Sequence, residues 1–191
     1  MIVDDASAAS SGDVLARTRA WLERVVIGLN LCPFAKAVHV RGRIRHALSD
    51  ATDEETLLAD LETELRRLHG SDESVVETTL LLHPGVLGDF LDYNQFLDRA
   101  DALLERLGLD DTFQVASFHP DYRFADAAED DAANCSNRSP APMLHLLRQS
   151  SVDRAVAAFP DAAGIYERNI AMLRALGIDG WRRVRDGEAG D

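Results

Sequence analysis

Two His-Pro dipeptides, His83-Pro84 and His119-Pro120, are the residues whose type and setting first suggest chemistry in this chain. An imidazole accepts or donates a proton near neutral pH. A proline after it biases its backbone toward the extended region, which holds the ring near the point where the chain turns. The second dipeptide runs on into Asp121, Tyr122 and Arg123. That supplies an acceptor, a hydroxyl and a fixed cation close together, enough to orient an imidazole or to bind a carboxylate or phosphate group. On this reading His119 is the acid-base group, Asp121 orients it, His83 completes the catalytic set and Arg123 holds an anionic substrate group. The plainer reading makes both histidines strand-terminal residues bonded to loop backbone, with Asp121 capping a turn and Arg123 paired to the acidic residues that follow.

A second cluster, Asn134, Cys135, Ser136, Asn137 and Arg138, stands just before Ser139-Pro140, which reads as a helix start with proline in its first position. A helix N-terminus favours anions and thiolates. Asn134, Cys135, Asn137 and Arg138 are therefore candidates for substrate binding, although any turn and helix cap contains the same residue types. Cys32 sits at a helix C-terminal end, where the dipole disfavours a thiolate, and reads as core. His83, His119, Asp121, Cys135 and His145 form the pool of metal ligands, but none are paired at HxH or HExxH spacing, so neither metal nor cofactor is expected. No phosphate-binding glycine loop and no GxSxG elbow is present.

Both histidines must be carried by strands. Residues 75–82 are β-branched then leucine-rich and stop at His83, residues 112–118 form a similar run ending at His119, and residues 43–49 alternate weakly. Between them lie two helical stripes. One opens at a capping-box pattern from Thr52 and runs through Leu57, Leu61, Leu65 and Leu68 to Gly70; the other runs from Phe90 to Leu107 and stops at Gly108. Helices of this length return the chain to the sheet edge it left, giving parallel βαβ units. A leading helix runs from an Asp13 cap through Trp21 and Leu29 and ends before Pro33. Three further helices are predicted: Met143 to Leu147, Ser151 to Phe159, and Ile165 to Leu176 with Gly177 as its stop. The expected fold is α/β: a small, largely parallel sheet of three or four strands covered by helices, with a helical C-terminal third. Ligands of such sheets bind at the carboxyl ends of the strands.

The 191 residues suit one domain, read as 13–184 between a disordered tail at 1–12 and a flexible tail at 185–191. Twenty basic against 33 acidic residues give a net charge of −13, which argues against nucleic-acid and membrane-surface partners. No secretory signal opens the chain, no apolar stretch is long enough for a bilayer, and two cysteines are too few for a disulfide scaffold. A cytoplasmic protein is expected.

At residues 30–35, at His83-Pro84, at 118–124 and at 134–140 the sequence resembles an uncharacterised, mainly bacterial family catalogued as a domain of unknown function, number 1415 in its series. The resemblance covers nearly the whole chain between the tails. It implies a stand-alone domain of cytoplasmic type and carries over no activity, cofactor or substrate.

The residues themselves point to a small-molecule enzyme, with group transfer or hydrolysis ahead of redox chemistry, acting at the carboxyl edge of the sheet beneath residues 121–139. Arg123 or Arg138 then holds an anionic group of the ligand. The competing reading is a non-catalytic binding or scaffold protein whose acidic 121–139 loop engages a partner. A loop folded back over His83 and His119 favours the first; one projecting into solvent favours the second.

Overall fold

The computed structural model describes residues 5–158 and 162–188. Four strands, β1 (Ile44–Leu48), β2 (Thr78–Leu82), β3 (Phe113–Phe118) and β4 (Met143–Arg148), form one sheet in the order β1-β2-β4-β3. β1 and β2 pair in parallel across the helix α3 (Glu54–Gly70), but β4 lies between β2 and β3 and runs antiparallel to both. The sheet is therefore mixed rather than largely parallel. The segment read as a helix through Met143, Leu144, Leu146 and Leu147 is its central strand. Leu82, Met143 and Phe118 stand in register across the three strands. A central strand is covered on both faces, so the alternation that marks a strand disappears into an apolar run that imitates a helix. Pro142, directly before Met143, holds the entry extended.

The other elements keep their expected order with shifted ends. α1 (Asp5–Trp21) begins upstream of Asp13, whose carboxylate pairs with Arg17 at 3.0 Å instead of marking the helix start. It continues into a π-helical turn at Leu22–Ile27, and a short helix α2 (Ala35–Val40), not expected from the sequence, follows. The cap of α3 is Asp53 rather than Thr52, its Oδ1 accepting from the Thr56 N–H at 2.9 Å. α4 (Phe90–Leu107) is capped by Asp89 and closed by Gly108 at φ 63°. α5 spans Gln149–Ala158 and α6 spans Ala162–Asp186. Gly177 breaks the helical backbone of α6 at φ 70° and ψ 168°, as its place at the end of the apolar stripe predicts, and a second helical stretch carries on to Asp186. The tail residues 1–4 and 189–191, and Phe159 with Pro160, lie outside the described residues.

α3 and α4 cover one sheet face with Leu57, Leu61, Leu65, Phe96 and Leu103 packed on Leu81, Leu144 and Leu146. On the other face Trp21, Val25, Leu173 and Trp181, from α1, the π-turn and α6, pack on Leu80, Leu82 and Met143. Because β2 and β3 both oppose β4, they point the same way, and His83 and His119 leave the sheet at the same edge. The start of β4 threads between them.

Candidate functional site

At that edge the two histidines are fully buried on either side of Tyr93, which α4 presents. The His83 ring stacks on Tyr93 with centroids 5.8 Å apart, and the His119 ring lies 5.1 Å from the same tyrosine. The Tyr93 hydroxyl donates to the Met143 carbonyl at 2.8 Å and accepts from the Phe118 N–H at 3.0 Å, so it ties β3 to β4. His119 accepts the Asp121 N–H on Nδ1 at 3.0 Å and donates from Nε2 to the Leu87 carbonyl at 3.2 Å. It is the backbone of Asp121, not its carboxylate, that orients the ring. Both ring nitrogens are occupied and the imidazole is held neutral. His83 donates from Nδ1 to the Val86 carbonyl at 3.1 Å, which leaves Nε2 buried without a partner. Burial pushes the His83 pKa down from 6.5 to about 4 and lowers that of His119 as well. Burial also raises the Tyr93 phenol well above its usual range. Here the strand-terminal reading matches the bonds that form.

The 121–139 loop folds back on the body. Tyr122 packs on Phe90 with ring centroids 5.3 Å apart, and Phe90 packs on His119 at 5.5 Å. Farther along, a 3-10 turn at Ala132–Ser136 lies against α6, fastened by Asp131, whose carboxylate takes two bonds from Arg174 at 2.6 and 3.1 Å. The Arg174 guanidinium, with the Ala133 N–H, holds the Asp131 pKa at about 2. Asn134 is buried and accepts from the Phe124 N–H at 3.0 Å while donating to the Ala128 carbonyl at 2.8 Å. Asn137 donates to the Ser117 carbonyl at 3.0 Å. These two amides hold the loop in shape, and neither lines a cleft. Arg123 lies 3.5 Å from Glu129, beside a shallow depression lined by Phe90 and Phe124. Cys135 is fully buried within the 3-10 turn, and no helix begins at Ser139 to activate it. Burial raises its thiol pKa, outweighing the opposing pull of Arg138, Arg182 and Arg185. Cys32 packs against the same core. His145 stands on β4, bonded to the Thr78 hydroxyl at 2.8 Å. Among the described residues no group of three His, Cys, Asp or Glu side chains is placed to share a metal ion.

The cleft that the loop does help to build lies on the opposite side of Pro120, between the loop, α1 with its π-turn, and α6. It encloses about 570 Å³ and is lined by Arg17, Arg24, Arg138, Arg182 and Arg185 together with Asp121, Asp186 and Trp181. Three of these arginines are neutralised locally: Arg17 by Asp13 at 3.0 Å, Arg182 by Asp179 at 3.1 Å, and Arg185 by a two-point pair with Asp186 at 2.7 and 2.9 Å. Arg185 also lies over the Trp181 ring, 5.0 Å from its centroid. The other two are held by backbone carbonyls, and Arg138 also reaches the Cys135 thiol. Arg24 donates to the Arg185 carbonyl at 3.2 Å, and Arg138 donates to the Tyr122 carbonyl at 3.3 Å and to the Glu129 carbonyl at 2.9 Å. Among the described residues neither forms an ion pair with a carboxylate, although Arg24 lies near enough to Asp186 to help lower its pKa. Asp121 is exposed at the cleft, and among the described residues no side chain or N–H bonds to its carboxylate.

Of the sequence candidates, Asp121 and Arg138 thus meet at one cleft, His83 and His119 meet beneath it in the core, and Arg123 stands apart. Arg17, Arg24, Arg182 and Arg185 were not among them. Their signal was faint: Arg17 and Arg24 are seven residues apart, two helical turns, and Arg182 and Arg185 are three apart, so each pair shares a helix face in a chain that is otherwise acidic.

A family model described as a protein of unknown function (DUF1415) matches residues 13–183, and the chain belongs to that family. The match contains every candidate above except Arg185 and Asp186. No curated protein and no solved structure matches the chain. Among the described residues no helix is long and apolar enough to cross a membrane.

Proposed function

With membership of that family as the premise, we propose that this chain binds a small anionic molecule in the cleft between α1, α6 and the loop. One observation carries the reading: Arg24 and Arg138 line the cleft with their guanidinium groups fixed by carbonyl oxygens and paired with no carboxylate. A guanidinium held in this way is pre-organised for a carboxylate or phosphate, which it meets through two parallel hydrogen bonds. With a net charge of −13 the rest of the surface repels such ligands, so two arginines without an ion-pair partner in one concave site mark where an anion gains most. The folded-back loop supports a ligand site over a protruding partner arm. Any group transfer or hydrolysis here draws on Asp121 as proton acceptor, because both nitrogens of His119 are bonded to backbone. Calorimetric titration with inorganic phosphate and with succinate at low salt tests the reading. Saturable binding of one of them below about 1 mM, weakened about tenfold or more in Arg138→Ala, is expected. Absence of saturable binding, or equal binding by wild type and variant, overturns it.

A further inference from the structure

The cleft also holds a carboxylate that its arginines leave alone. Asp186 is paired with Arg185 and lies in the field of Arg24, whereas Asp121 lines the same cleft as Arg138 and pairs with neither Arg138 nor Arg24. A ligand that is anionic throughout meets two matched cations and one repelling carboxylate. A ligand with an anionic head and a body of hydrogen-bond donors satisfies all three groups. Two guanidiniums without ion-pair partners match a phosphate monoester, which carries a charge of about −1.5 to −2 at neutral pH, better than they match a single carboxylate. For the donor end, an ammonium brings all its donors from a single nitrogen. Neighbouring hydroxyls instead give both oxygens of Asp121 a partner with no added charge, and bonds to an ionised acceptor are the stronger kind. The size agrees, because about 570 Å³ leaves room for a sugar-sized body beside the phosphate.

Resting on the anion-binding reading above, we propose that the cleft selects hydroxylated phosphate monoesters of the sugar-phosphate class, with Arg24 and Arg138 on the phosphate and Asp121 accepting from hydroxyl groups of the body.

Titration calorimetry with glycerol 3-phosphate, ribose 5-phosphate, glucose 6-phosphate, phosphoethanolamine and inorganic phosphate tests the assignment on the full chain. At least one of the three hydroxylated esters is expected to bind about tenfold tighter than inorganic phosphate and tighter than phosphoethanolamine. In Asp121→Asn that preference should shrink to about twofold or less while inorganic phosphate binds as well as before or better, since a negative charge has been removed. If inorganic phosphate binds but none of the hydroxylated esters exceeds it, or if phosphoethanolamine leads, the selectivity assignment is wrong and the anion site survives. If none of the phosphates binds while succinate does, the phosphate assignment falls alone, and if no anion binds at all the underlying reading falls with it. The wild-type ranking decides the matter even if the variant folds poorly, and the thermal midpoint of Asp121→Asn shows whether any loss comes from unfolding.

Discussion

His119 and Asp121 are two residues apart, and the chain between them passes from one kind of environment to its opposite. On the His119 side, three ring systems are sealed under the sheet edge, and their polar atoms bond to carbonyls and N–H groups of the strand ends and the adjoining loops, with Nε2 of His83 the one atom left over. On the Asp121 side, arginines and an unpaired carboxylate surround open space, and two of the arginines are bonded to backbone carbonyls without an ion-pair partner. Titratable side chains at strand ends therefore mean different things according to where their hydrogen bonds go. A satisfied imidazole has spent its bonding capacity on the fold; a well-anchored charge beside a cavity keeps capacity for a ligand.

Tyr93→Phe tests the structural half most severely. Removing the hydroxyl leaves the Met143 carbonyl and the Phe118 N–H unpaired in the core, at about 1–3 kcal/mol for each such group. A thermal midpoint lower by roughly 5–10 °C is expected in a domain of this size, with anion affinity unchanged in the protein that remains folded. A midpoint within about 2 °C of wild type contradicts the clamp.

Acidification acts on the same region with a defined sign. The His83 pKa is about 4 in the folded protein and 6.5 without burial, so the unfolded chain binds the extra proton across that window. Stability is complete above about pH 6.5 and declines as pH falls toward 4, by roughly 3 kcal/mol for this one residue at 1.36 kcal/mol per unit. His145, also lowered to about 4, adds to the same slope. Asp131, with its pKa near 2, contributes only below about pH 4. Thermal melts at half-unit steps should show the decline beginning near pH 6.5, and His83→Asn, which retains a donor for the Val86 carbonyl, should flatten it.

On the other side of the comparison, Arg138→Ala should lower anion affinity about tenfold or more while costing about 1 kcal/mol of stability, because its two carbonyl bonds also brace the loop. A drop in midpoint above about 8 °C with unchanged affinity would make Arg138 a structural anchor and blur the contrast between the regions. The mildest test uses thiol labelling of the native protein: Cys32, half-buried, should react first, and Cys135 only as the loop opens. Equal rates would show that the 3-10 turn is looser than its burial suggests.

The parts legible in the sequence were those written in local pattern. Gly108 and the stripe from Phe90 to Leu107 marked α4, and the leucine-rich run before His83 marked β2. Met143 to Arg148 misled because full burial on both faces erased its alternation, and with that strand went the mixed character of the sheet. The candidate site was legible only in part. Asp121 and Arg138 stood out because they sit in a dense polar loop, but their neighbours in the cleft come from residues 17, 24, 182 and 185, which no local spacing connects. Arg185 in particular fell in a segment read as a solvated tail, although α6 carries it past the Gly177 kink and back onto the body.

The insertion of β4 between β2 and β3 also bears on how the chain is made. A nascent chain that has emerged only as far as residue 142 can pair β1 with β2, but β3 then has no partner, because its only neighbour in the sheet is a strand not yet synthesised. Until residue 148 clears the ribosome the inner edges of β2 and β3 both stay open, and open edges are templates for pairing with other chains. Truncation just before Met143 should therefore produce an aggregating fragment rather than a smaller folded protein.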